Sequence, residues 1–188
     1  NIAIGYKSLF VANSENETVA IGNVCGENVT SGNQNTLVGG WAGHELTTAD
    51  KCVVVGYNAM AGASSSPPVG DSNVAVGWSS MAKIQSGGGN VAMGSNTLED
   101  LTTGQQNLAL GHFAMAQTVG ASDCTALGYY AMGAGNVTAS GVTAVGASAC
   151  AEKIGGGTST AVGFEAMRAD LYGEHNTAVG YQALEDNT

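Results

Sequence analysis

Eleven short apolar phrases, each closed by a glycine, recur along this chain of 188 residues. They read IAIG, VAIG, TLVG, VVVG, VAVG, VAMG, LALG, TALG and three times TAVG, and they end at Gly5, Gly22, Gly39, Gly56, Gly77, Gly94, Gly111, Gly128, Gly146, Gly163 and Gly180. Successive glycines stand 17 residues apart in eight of ten intervals, with 21 after Gly56 and 18 after Gly128. A short period that fills a chain marks stacked units, each of which buries its apolar face only against its neighbours. The period therefore predicts an all-β fold, a parallel β-solenoid of eleven repeats, running through residues 1–188 as a single repetitive domain. Because the chain opens within a strand phrase, it reads as a segment of a longer polypeptide.

Positions are numbered here from the repeat glycine. Position −1 is aliphatic or Met throughout, and position −3 is Ile, Val, Leu or Thr. These two share one strand face, and their β-branched bias suits a strand. Nine of eleven residues at −2 are Ala, the others being Leu37 and Val54. Small apolar residues on the second face imply that both faces are covered. The expectation is that −1 and −3 fill the rung and that the Ala face admits an identical chain. A second short strand is expected after the glycine, with an aromatic at +1 in six repeats, Ala or another small residue at +3, and Met or Leu at +4 in eight. On this reading all six methionines are core residues, and the remainder of each unit is turn. Asn35, Asn90, Asn107 and Asn176 open strands, where an Asn amide can bond its own backbone or its counterpart one rung away.

A formal charge of −10 with five basic residues argues against nucleic acid or an anionic membrane as partner. No apolar run reaches the roughly 18–20 residues of a membrane-spanning helix. Cys25, Cys52, Cys124 and Cys150 fall in repeats or columns that a disulfide within the chain cannot join, so they are read as small packing residues, with a bridge between chains as the alternative. His44, His112 and His175 occupy different columns, which leaves no metal or catalytic cluster. The GGG runs at 87–89 and 155–157 lack the Lys-Ser/Thr of a phosphate loop, and GDSN at 70–73 lacks a histidine in register. The fifteen carboxylates are expected on solvated loops. No catalytic, cofactor-binding or metal-binding residue is assigned, and the chain is read as non-enzymatic. Glycan acceptor motifs begin at Asn16, Asn28 and Asn136.

The phrase NTAVGYQAL at 176–184 and its ten variants resemble the YadA-like head repeats of trimeric autotransporter adhesins. They are also similar to the repeat arrays of phage tail-fibre proteins and bacterial surface proteins. The resemblance covers all eleven units, although autotransporter head repeats are a few residues shorter. It implies a left-handed β-roll that assembles as a homotrimer. The function it implies is that of an extracellular fibre, on a virion or a cell surface, extending a receptor-binding surface. Receptor or glycan contact would fall on the loop edge from Ser64 to Asp71 and on the exposed members of the aromatic column. The alternative is a ligand-binding solenoid, recognising a glycan or ice. A mixed Thr column on a face taken to be buried speaks against ice.

Overall fold

The computed structural model describes residues 1–11, 17–63, 65–135 and 137–186. Each repeat phrase forms one three-residue strand: β1 (Ile2–Ile4), β2 (Val19–Ile21), β3 (Thr36–Val38), β4 (Val53–Val55), β5 (Val74–Val76), β6 (Val91–Met93), β7 (Leu108–Leu110), β8 (Thr125–Leu127), β9 (Thr143–Val145), β10 (Thr160–Val162) and β11 (Thr177–Val179). They line up in chain order in one eleven-stranded parallel sheet. The register repeats without slip, as in Ala109 opposite Ala126 and Ala161 opposite Ala178. The chain is a β-solenoid, and no helix occurs among the described residues.

The two strand faces are the reverse of the expectation. Position −2 is buried from β2 to β11, with Ala20, Leu37, Val54, Ala75 and Ala92 all at 0% exposure. Positions −1 and −3 are half-buried or exposed in every strand, so the β-branched face looks outward. The physical reason is the thinness of the rung. Met or Leu at +4 reaches across from the opposite wall, and a small residue at −2 is what leaves it room. Where +4 is glycine, the strand supplies the bulk instead. Leu37 fills the space above Gly26 and Gly43, whose hypothetical Cβ atoms would lie 2.8 and 3.0 Å from its methyl carbons. Five methionines are core residues as expected, while Met93, at −1, is 46% exposed.

The segment after the glycine is a run of turns in place of the expected strand. Residues at +2 and +4 take left-handed backbone, for example Phe113 (φ 58°) and Met115 (φ 51°). This lets consecutive side chains face inward, and Ala114 and Met115 are both fully buried; in a strand, neighbours would point to opposite faces. Left-handed backbone costs an L-residue roughly 1–2 kcal/mol. It is offset by bonds between rungs, such as the Met115 N–H to the Ala131 carbonyl at 2.9 Å.

The remainder of the unit also contributes to the core. Val29, Leu46, Ile84 and Leu101, all at +7, are fully buried. So are Asn35, Asn73, Asn90 and Asn107 of the Asn column at −4. Asn90 receives on its Oδ1 the backbone N–H (3.0 Å) and Nδ2 (2.9 Å) of Asn107. Its own Nδ2 donates to Asn73 Oδ1 at 3.1 Å and to the Gly104 carbonyl at 2.9 Å. Asn90→Ala removes all of these at a buried site. At about 1–3 kcal/mol for each stranded polar group, it is expected to destabilise the fold by at least about 3 kcal/mol, read from a urea unfolding midpoint.

Candidate functional site

The outward face of the sheet is the feature most suited to recognition. Positions −3 and −1 give two side-chain columns along all eleven strands, composed only of Ile, Val, Leu, Met and Thr. Away from the two end strands, Ile21 (37%), Val53 (38%) and Met93 (46%) are among its more exposed members. No charged group interrupts it. An uncharged surface of this kind, aliphatic except for threonine at −3 in five strands, is suited to contact with a partner.

The aromatic column at +1 stands outward as well. Tyr57 (56%), Trp78 (53%) and Tyr129 (55%) are exposed. Some aromatic side chains on successive rungs pair, as Phe164 with Tyr181 (centroids 5.5 Å apart, 9° between planes). His112 stacks on Tyr129 at 6.0 Å, and Phe113 meets Tyr130 edge-on at 5.9 Å. The four-residue insertion of the fourth repeat forms a small turn, in which the Ser66 N–H donates to the Ala63 carbonyl. Beside it lies a shallow cavity of about 220 Å³, lined by Ser65, Ser66, Lys83, Gln85 and Thr102 among others. Ser64, the first residue of the proposed contact edge, lies outside the described residues, as do Asn16 and Asn136 of the glycan acceptor motifs. Asn28 is half-buried, and its backbone N–H donates to the His44 carbonyl at 3.0 Å.

Charge is gathered near +5 and +6, away from the apolar stripe. Arg168 bridges Glu152 (2.9 Å) and Glu185 (3.1 Å) across rungs. Glu27 accepts from Lys7 at 2.8 Å and lies 3.1 Å from His44 Nε2, and the Lys7 ammonium holds its carboxyl below the usual carboxylate range. His44 Nδ1 in turn faces Glu45 at 3.2 Å. Two carboxylates depart from the solvated-loop expectation: Glu45 is 7% exposed and Asp170 is fully buried. Among the described residues no three His, Cys, Asp or Glu side chains are placed to hold a metal, and no helix is long and apolar enough to cross a membrane.

All four cysteines are buried and free. Cys52 and Cys124 stand in the Asn column, where their backbone N–H groups cap Asn35 and Asn107. Burial raises the Cys25 and Cys52 thiols to about 11 and the Cys150 thiol to about 12. Native protein near neutral pH is therefore expected to react with a disulfide reagent far more slowly than the unfolded chain, which exposes four thiols. Unfolded thiols ionise near about 8.5 and the folded ones only higher. The native state thus holds more protons over that interval, and stability falls as the pH rises through it.

Sequence reasoning missed the +7 column, although four aliphatic residues in repeat register announce it. It also missed that column's two charged members, Lys153 and Asp170, both at 0% exposure. No protein-family model, curated protein or solved structure matches this chain.

Proposed function

We propose that the chain is a structural, non-enzymatic repeat region of an extracellular fibre, on a virion or a cell surface, that extends or presents a receptor-binding surface. It works as a homotrimer in which the outward face of the sheet is covered by identical chains. The observation that carries this reading is the uncharged stripe of aliphatic and threonine side chains running the whole length of the sheet. Burying apolar area at about 25 cal/mol per Å² favours closure of such a stripe, and a second copy offers a matching surface at the same rung spacing. Eleven rungs at about 4.8 Å give a rod on the order of 50 Å long. The aromatic column and the cavity beside Ser65 and Ser66 remain as surfaces for a receptor or glycan. The test is electron microscopy of the chain fused to a globular marker. Three markers at one end of a rod support the reading, and one marker per particle refutes it.

One observation favours a ligand-binding solenoid instead. Thr125, Thr143, Thr160 and Thr177 occupy −3 on four successive strands of the outward face, beside Leu127, Val145, Val162 and Val179. This regular array of hydroxyl and methyl groups faces solvent in the single chain, so the burial that spoke against ice binding does not apply. Thermal hysteresis in a freezing assay would establish that reading, and its absence would remove it.

A further inference from the structure

The +7 column is apolar in its early rungs, but in the ninth and tenth it holds Lys153 and Asp170, one directly above the other in the repeat register. Their side chains are 0% and 1% exposed, and Lys153 Nζ lies 3.4 Å from Asp170 Oδ2. A backbone residue holds each of them. Lys153 Nζ donates to the Gly173 carbonyl at 2.6 Å, and the Gly173 N–H donates to Asp170 Oδ1 at 2.8 Å. The two Asp170 oxygens are thereby distinguished: Oδ1 faces a backbone donor, and Oδ2 faces the amine.

We infer that Lys153 and Asp170 condense to an intramolecular amide, a covalent staple between adjacent rungs. Holding two charges out of water is costly. Passing one proton from Nζ to Oδ2 yields a neutral amine and a neutral acid, the forms that react. The Nζ lone pair then attacks Cγ, forming the C–N bond, and the Cγ–Oδ1 electron pair moves onto Oδ1, where the Gly173 N–H meets the developing negative charge. A second proton passes from Nζ to Oδ2, the Cγ–Oδ2 bond breaks, and one water leaves. The third Nζ proton stays on the amide nitrogen, where it can keep the bond to the Gly173 carbonyl. Nothing is oxidised or reduced, and no co-reactant is needed. Enclosure of both groups in one packed column supplies the proximity that a bimolecular condensation lacks. The product would close a loop between partners 17 positions apart and resist peeling of these rungs under tension. This inference is independent of the trimer.

The test is the intact mass of the folded chain, fresh and after prolonged incubation, followed by peptide mapping. The expected result is a mass lower by one water, with a branched peptide joining Lys153 to Asp170. Lys153→Ala and Asp170→Ala are expected to keep the full mass. Asp170→Asn, whose leaving group is ammonia, is expected to lose ammonia in place of water. An unmodified mass after incubation, in protein whose circular dichroism shows the native sheet, overturns the inference. So does a water loss that persists in Lys153→Ala. If the variants fail to fold, the branched peptide of the unaltered chain decides.

Discussion

On the proposal that identical chains cover the outward face, Leu110→Glu combined with Val145→Glu is expected to convert the trimer to monomers while leaving each rung folded. Both residues stand at −1, half-buried in the single chain and pointing away from its core. A carboxylate there can stay hydrated in an isolated solenoid, so circular dichroism and the unfolding midpoint should change little. In the assembly the same carboxylates would be taken from water beside aliphatic side chains without a cation. That costs several kcal/mol per ion, and each 1.4 kcal/mol is about tenfold in affinity. A weakening of at least about a thousandfold follows, visible as a shift of sedimentation coefficient at constant concentration. The companion variant is Ala109→Glu, on the inward face of the same strand as Leu110 and fully buried. It is expected to abolish folding. Had the Ala face been the one that admits a neighbour, the two outcomes would be exchanged.

Gly111→Ala is expected to be among the most damaging single-methyl changes in the chain. Gly111 has φ +135°, and a Cβ there would run into the carbonyl oxygen of Gly128 one rung on. The neighbouring atom is backbone, part of the same ladder, so it cannot swing aside. Backbone strain of this kind costs about 1–3 kcal/mol, and displacing the next rung adds to it. A loss of at least about 4 kcal/mol is expected in urea, near the upper end for single substitutions. Gly180→Ala separates the two contributions. Its φ is +136°, but the nearest atom to a Cβ is that of Ala183 at 3.9 Å, so strain acts there without a collision. Equal losses at the two sites would show that backbone conformation alone explains the glycine column.

The strands were legible because the apolar tetrads repeat in register, and every tetrad is a strand with the neighbours that the period requires. The direction of the faces was misread. Hydrophobic bulk at −1 and −3 reads as core and smallness at −2 as a point of contact, the reverse of the burial in the structure. Yet the interior of so narrow a coil is where smallness is needed, because the residue opposite is a Met or Leu. A cue was present in Leu37, which breaks the Ala column where +4 is glycine at positions 26 and 43. The adjacent apolar pairs at +3 and +4, such as Ala131 and Met132, carried another cue, since a strand cannot bury neighbours on one face. Of the asparagines that open strands, Asn90 and Asn107 bond each other between rungs and Asn90 bonds Asn73, whereas Asn35 meets the Cys52 N–H and the Ala49 carbonyl instead. Lys153 and Asp170 escaped notice because a charged residue in a loop is ordinarily solvated. Only the register, which sets them above Ile84 and Leu101, points inward.

The claim at the centre of this account is that identical chains cover the outward apolar face. Sedimentation velocity combined with light scattering tests it most directly. The account predicts a particle of three chain masses with a frictional ratio well above that of a sphere. A single-chain mass across the accessible concentration range would contradict it, and would leave the threonine and aromatic columns as surfaces for a ligand.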